Sequence, residues 1–374
     1  MTGLTVLHVV PDLRRQAGGI AATVPALAEA LRAEGIDSRF LTLAHDADFS
    51  GRAQTICAAL GNGRHPAQLK RMVAEALSGL PSGAVLHSHG LWGMLNHAAL
   101  TSAWRAGQPR VISIHGMLLP WARHHKKLRK DVAWALYQRR DLLRADRLHV
   151  TSHEERSIVA QTVGAAAVST IPFGVDLPAV VPPLAGEGAT LLFIGRLHPV
   201  KNLEALVRAF VEVAPKGWKL RLAGPDEGGH RATLEALVQT LGAAGCVSFA
   251  GPIYGVEKTR ELATASALVL PSFSENFGAV VAEALAMERP VIASCGTPWQ
   301  AVEEARCGWW VPPDRESIGR AIADLVQKSP ETLAEMGARG RDLVTSAYSW
   351  DRVATDMAQL YTGIVGAPRR APEE

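Results

Sequence analysis

What most constrains this chain is an alternation that runs through it twice. Short apolar runs, "LTVLHVV" (4–10), "SRFLTL" (38–43), "AVLHSHG" (84–90), "RVISIHG" (110–116), "RLHVTS" (147–152) and "VSTIPFG" (168–174), are separated by longer segments. Three of those segments read as helices, near 21–34, 67–78 and 94–106. Strand and helix in turn predict a parallel, doubly wound sheet. The pattern breaks at "FGVDLPAVVPPLAGEGA" (173–189), where Pro178, Pro182, Pro183, Gly186 and Gly188 make linker composition. It restarts with "TLLFIGRL", "KLRLAGP", "VSFAG", "ALVLPS", "PVIAS" and "GWWVP", with helices expected over 201–214, 231–242, 256–264 and 278–287. The fold class is therefore α/β: two Rossmann-like, doubly wound parallel-sheet domains, 1–175 and 176–348, followed by a C-terminal helix and tail, 349–374, expected to return to the first domain. Ligands of such sheets bind at the carboxyl ends of the strands. With two sheets, the expected site is a cleft that they face.

Length and composition agree. A chain of 374 residues is too long for one ordinary core. With 48% apolar and 20% charged residues it is a folding composition, not a disordered one. There is no apolar run of membrane-spanning length, and the start, "MTGLTVLHVVPDLRRQ", reads as a first strand and not as a signal peptide. Cys57, Cys246, Cys295 and Cys307 form no C-x-x-C pair and are expected as buried free thiols in a reducing cytoplasm. Residues 1–175 hold 20 Lys and Arg against 12 Asp and Glu, whereas the remainder holds 19 against 24. An uneven surface accounts for this; so does an anionic partner on the first half.

The stretch "SENFGAVVAEAL" (274–285) carries the most pointed chemistry. If "ALVLPS" is a strand and "AVVAEALAM" a helix, then Asn276, Phe277 and Gly278 form the turn between them. A helix start offers unpaired N–H groups and partial positive charge, which suit a phosphate, and a glycine there admits a ligand close to the backbone. Glu275 lies before the helix and Glu283 within it, eight residues on, a span of at most ~12 Å at helical rise. Two carboxylates so placed can grip the hydroxyls at opposite ends of a nucleotide sugar. The spacing equally fits acidic residues at an ordinary helix start. In "FIGRLHPVKNLEALVRAF", Gly195, Arg196 and Lys201 follow a strand and precede an amphipathic helix. Two cations there can hold a diphosphate and offset the charge it gains as a leaving group; a solvated basic loop is the plainer reading.

Taken in order, E-x7-E (Glu275, Glu283), G-R-x4-K (Gly195, Arg196, Lys201) and "PFGVD" (172–176) resemble the retaining glycosyltransferases of family four, the group-1 set with the GT-B fold. So do "VTSHEE", "LAGPDEGG", "FAGPIYGVEK", the "GGI" at Gly18–Ile20 and the "YSW" at 348–350. The resemblance covers nearly the whole chain. It implies that the second sheet holds a nucleotide sugar, with Arg196 and Lys201 on the diphosphate, Glu275 on the transferred sugar and Glu283 on the ribose. Backbone groups around Asn276, Phe277 and Gly278 would meet sugar and phosphate, and the loop at Gly18 and Gly19 would lie near the donor phosphate. Transfer is then expected by front-face substitution, with the leaving diphosphate helping to deprotonate the acceptor.

Within that frame His115, at a strand end, is placed to position an acceptor or share transition-state charge; a backbone-bonded histidine is the alternative. His87 and His89 share one side of a strand. A zinc reading finds no further ligand set in the sequence, so no metal is expected, and His89 joins Gly18 and Trp92 as candidate acceptor groups or packing. "WARHHKKLRKDVAWALYQRRDLLR" (121–144) reads as a basic amphipathic helix with Leu128, Val132 and Leu136 on one face. Either that face is packed and the charges are solvated, or Arg123–Lys130 docks on anionic lipid. No recognition motif for nucleic acid appears.

The expectation is a metal-independent, cofactor-free retaining hexosyltransferase. Its donor is a nucleotide-diphosphate sugar, with a lean to GDP-mannose. Its acceptor is a glycan or lipid-linked oligosaccharide of bacterial surface-polysaccharide or lipopolysaccharide synthesis, reached in the cytoplasm or at the inner face of the membrane. A nucleotide-sugar epimerase of the same fold and a non-catalytic nucleotide-sugar binder are the alternatives.

Overall fold

The computed structural model describes residues 3–14, 17–46, 49, 55–57, 66–164, 167–181 and 189–366. The linker residues 182–188 and the tail "APRRAPEE" lie outside the described residues. The chain divides into two compact units, one running to Gly174 and resuming at Trp350, the other Val175–Ser349.

In the first unit seven strands lie in one sheet: β1 (Thr5–Val9), β2 (Asp37–Thr42), β3 (Thr55–Cys57), β4 (Val85–His89), β5 (Arg110–Ser113), β6 (Arg147–Val150) and β7 (Val168–Thr170), in the order β3-β2-β1-β4-β5-β6-β7. Every pairing is parallel. Strands β1, β4 and β5 are buried at every residue. This is why they read as continuous apolar runs and not as alternating ones. Their period of two still sorts the core. Leu7, Leu86 and Ile112 pack with Leu95, Ala99 and Leu100 of the helix Met94–Arg105. Val6, Val85 and Val111 pack on the other face with Leu27, Leu31 and the helix Trp350–Val365, through Val353, Met357, Leu360, Tyr361 and Ile364. The edge strand β3 was not expected; three residues are too few to show periodicity.

The second unit holds β8 (Ala189–Ile194), β9 (Trp218–Ala223), β10 (Val247–Gly251), β11 (Ala267–Leu270), β12 (Val291–Ser294) and β13 (Gly308–Val311), all parallel in the order β10-β9-β8-β11-β12-β13. The helix expected from 201 starts at Leu203, after a single 3-10 turn, Pro199–Lys201. Asn202, in the left-handed region, separates the two, and its amide donates to the Pro271 and Pro313 carbonyls.

Two expectations fail. Cys295 is exposed, in the turn after β12, whereas Cys307 is buried. The segment 121–144 is not one helix. It breaks at Lys126 (φ 53°) into Pro120–His124 and Lys127–Ala133, then continues through a π-helical stretch, Trp134–Gln138, into Arg139–Arg144. Its supposed packing face is in solvent: Leu128 is 83% exposed, Val132 58% and Leu136 69%. The face that packs carries Ala133, Gln138, Asp141 and Leu142 instead. Among the described residues no helix is long and apolar enough to cross a membrane.

Candidate active site

In an open α/β sheet the ligand crevice opens where the strand order reverses. In the second unit that point lies between β8 and β11. The loops leaving these two strands are those that carry Gly195, Arg196 and Lys201, and Glu275 to Gly278. The crevice is built from close backbone approaches. A Cβ on Gly224 would lie 1.8 Å from the Gly195 carbonyl oxygen, and one on Gly296 2.4 Å from that of Ser272. Only glycine fits either place.

The structure brings Lys201 and Glu275 together. The Lys201 ammonium donates to Glu275 Oε1, and the two side chains are only 12% and 13% exposed. Ser272 Oγ donates to the same oxygen at 2.6 Å, and the Glu275 N–H donates to the Gly296 carbonyl at 2.8 Å. The two glutamates, by contrast, do not share partners. Glu283, in the helix Ala279–Ala286, pairs with Lys258. Arg196 is exposed and pairs with Glu227. The spacing of Glu275 and Glu283 is helical only from Ala279 on. Gly278, at φ 71°, is the N-cap of that helix, and no side chain caps it. Phe277 contributes backbone to this turn: its ring is buried against Trp299 and Tyr348, and its carbonyl accepts from the Trp299 indole. The sequence does not single out Lys258, Glu227 or Ser272. They lie inside "FAGPIYGVEK", "LAGPDEGG" and "ALVLPS", and only the fold shows which group each meets.

In the first unit the order reverses between β1 and β4, and the candidates again cluster there. Gly18 (φ 97°) is the N-cap of the helix Gly19–Ala33, with open space where a Cβ would stand on either glycine. Trp92 and His115 both occupy the left-handed region, at φ 70° and 54°, which costs energy and clusters at functional turns. The Trp92 N–H donates to Gln138 Oε1 at 2.7 Å, and its ring lies under Lys130. The His115 turn is held by Glu155, which accepts from the Gly116 N–H and, at 2.8 Å, from that of Thr151. Glu155 is the third helical residue after Ser152, whose hydroxyl caps the helix His153–Val163. Burial pushes its carboxyl pKa up, and these hydrogen bonds offset part of the rise.

His89 is not at a surface. It is 2% exposed, with Nε2 3.0 Å from His8 Nδ1 and Nδ1 3.1 Å from His115 Nε2. A second chain runs beside the first. His149 Nε2 lies 2.8 Å from the Ile171 carbonyl, an acceptor, so this nitrogen carries the proton. Its Nδ1 then accepts from Ser113 Oγ, 2.6 Å away. Ser113 Oγ in turn accepts from His87 Nε2 at 2.6 Å, and His87 Nδ1 accepts from the Tyr361 hydroxyl at 2.7 Å. One carbonyl thereby sets every proton in the chain. Burial depresses all five histidines: His8 and His115 to about 3, His149 to about 4, and His87 and His89 well below the usual value. They are neutral at physiological pH.

The sequence showed no third ligand beside His87 and His89, but the fold supplies one. His8, His87 and His89 each offer an atom, all within 4.8 Å of one another. Of their ring nitrogens only His8 Nε2 lacks a hydrogen-bond partner; the others bond to one another, to His115, to Ser113 or to Tyr361.

Two family profiles match in succession: "Glycosyltransferase Family 4" over residues 17–178 and "Glycosyl transferases group 1" over residues 188–328. A D-inositol 3-phosphate glycosyltransferase 2 from Catenulispora acidiphila is 31% identical over 241 residues, which span 58% of this chain and 56% of that protein. The fold matches that of a sucrose-phosphate synthase from Thermosynechococcus elongatus, with a TM-score of 0.79 at 23% identity over 98% of this chain and all of that one. It also matches Anabaena Alr3699/HepE, solved in complex with UDP and glucose, with a TM-score of 0.76 at 17% identity over 96% and 99% of the two chains. With both profiles in chain order and GT-B neighbours over nearly its whole length, the chain belongs to glycosyltransferase family four, the group-1 glycosyl transferases.

Proposed function

We propose that this protein is a retaining glycosyltransferase that moves a hexose from a nucleotide-diphosphate sugar to a hydroxyl acceptor without a metal ion. The observation that carries the reading is the Lys201–Glu275 pair at the reversal point of the second sheet, beside the uncapped helix start at Gly278. A cation and a carboxylate held together, both side chains largely shielded from solvent, match the two ends of a sugar diphosphate. Lys201, with Arg196, takes the diphosphate and stabilises it as it leaves. Glu275 accepts from hydroxyls of the transferred sugar, while Glu283 takes the ribose. His115, in the first unit, meets the reacting sugar or the acceptor. The lean to GDP-mannose gains no support from the comparisons, in which the HepE neighbour was solved with UDP and glucose; UDP-sugars are therefore the first donors to test.

A glycan or lipid-linked oligosaccharide remains the proposed acceptor, reached from the cytoplasmic side of a membrane. The exposed Leu128, Val132 and Leu136, flanked by the exposed Lys126, Lys127, Arg129, Arg139 and Arg140, support contact with an anionic bilayer. The D-inositol 3-phosphate named for the relative is the soluble acceptor to set against it.

The test is nucleotide release from UDP- and GDP-sugars, with and without acceptors and in the presence of a chelator, and the anomeric configuration of the product by NMR. Acceptor-dependent release with retention supports the reading. Interconversion of donor sugars without acceptor means an epimerase, and donor binding without turnover means a non-catalytic binder. Loss of activity to the chelator refutes metal independence.

A further inference from the structure

The hydrogen-bond chain His8–His89–His115 differs from its neighbour in one respect: no carbonyl anchors it. Its links are His8 Nδ1 to His89 Nε2, 3.0 Å, and His89 Nδ1 to His115 Nε2, 3.1 Å. Its ends, His8 Nε2 and His115 Nδ1, are both buried and without a partner. Three neutral imidazoles carry three N–H protons between them. Two fill the links, so the third must stand at one end, and the links must all point the same way. The three rings therefore share one tautomeric choice.

The two ends are not equivalent. His8 is fully buried in β1, its ring stacked on Phe40 at 5.5 Å between centroids. An orphan N–H in such a place is rarer and costlier than an orphan acceptor. His115 stands at the strand end, in a left-handed turn; its Nδ1 is covered, but the residue as a whole is only partly buried, so of the two ends this is the one nearer to solvent. The proton therefore belongs at the His115 end. Each ring then donates onward from Nδ1: His8 to His89, His89 to His115, and His115 outward.

We propose that His8 and His89 are positioning residues that hold His115 as the Nδ1-protonated tautomer, so that it meets the substrate as a neutral hydrogen-bond donor and not as a base. This rests on the reading of His115 as a substrate-facing group. A donor fits a sugar hydroxyl or ring oxygen and stabilises charge without a proton being lost. It leaves deprotonation of the acceptor to another group, such as the departing diphosphate.

The experiment is a long-range 1H–15N correlation spectrum of 15N-histidine-labelled protein at pH 7.5, with His115 assigned through His115→Gln. The expected spectrum has His115 protonated on Nδ1 and bare on Nε2; a proton on Nε2 overturns the proposal, whatever any variant does. His8→Leu removes the first donor and should mix the His115 tautomers, with transfer slower by about tenfold or more at unchanged donor KM. His8→Gln, which keeps an N–H donor, should restore both. A folded His8→Leu with an unaltered His115 signature also overturns it. Undiminished transfer by His115→Ala refutes instead the substrate-facing role, and leaves the tautomer measurement to stand or fall by itself.

Discussion

On the proposed function, the Lys201–Glu275 pair is held in place before its ligand arrives. Each group shields the other in a crevice where either alone would bear an uncompensated charge. Lys201→Ala should therefore cost ~10²-fold or more in sugar transfer, by loss of leaving-group stabilisation, and near wild-type turnover would remove Lys201 from the mechanism. The glutamates separate by partner. Glu283→Gln should weaken binding of the bare nucleotide, whereas Glu275→Gln should leave it largely intact and impair transfer; calorimetry with free nucleotide distinguishes the two, and the reverse pattern means the roles are exchanged. The glycines of the crevice act by absence. Gly224→Ala must push a methyl against the backbone at Gly195, so a loss of roughly 1–3 kcal/mol of stability is expected in denaturant titrations.

At the scale of elements, the ends of β1, β4, β5 and β6 are joined by five neutral histidines, which link this sheet to pH. Their folded pKa values, about 3 for His8 and His115 and about 4 for His149, lie below the unfolded value near ~6.5. As pH falls the unfolded chain takes up protons first. Stability is therefore complete above about pH 6.5 and lost progressively toward pH 4, by at most ~1.4 kcal/mol per histidine per pH unit. Urea midpoints should fall between pH 7.5 and pH 5 and stay level from 7.5 to 8.5; equal midpoints at 7.5 and 5 contradict this. The broken segment 120–144 makes the other prediction. Replacing Lys126, Lys127, Arg129 and Lys130 by Gln should abolish co-sedimentation with anionic vesicles, as should Leu128→Ser with Leu136→Ser, while neither changes donor hydrolysis in solution. The binding should weaken with salt, since the Debye length is ~8 Å at physiological ionic strength. A wild-type protein that ignores anionic vesicles at low salt has no such surface.

For the whole molecule, the consequential feature is that the first unit is discontinuous. The helix Trp350–Val365 covers one face of β1, β4 and β5, and Tyr361 also donates to His87. Gly174 permits the return, since a Cβ there would lie 2.3 Å from the Trp350 ring. A fragment ending at Gly174 keeps Leu27 and Leu31 but loses Val353, Met357, Leu360, Tyr361 and Ile364 from the cover of Val6, Val85 and Val111, and should be insoluble or unfolded. The same fragment joined by a flexible linker to 350–366 should be soluble and cooperative in thermal denaturation. A stable, cooperative 1–174 fragment would show that the helix is dispensable.

Much of this was legible in the chain. The doubly wound order follows from apolar runs buried on both faces, and the crevice positions of Gly195, Lys201, Glu275 and Gly278 follow from where strands end and helices start, which are local matters. What the sequence could not decide is which charge meets which. The Lys201–Glu275 pair joins residues 74 apart, and the His8–His89 contact joins residues 81 apart, so no local pattern encodes either. The same limit applies elsewhere. A stripe of Leu128, Val132 and Leu136 has helical periodicity whether or not anything covers it, and His89 reads equally as an acceptor group or as packing until β1 is laid beside β4. Periodicity is a property of the chain, but burial belongs to its neighbours, and only tertiary structure supplies them.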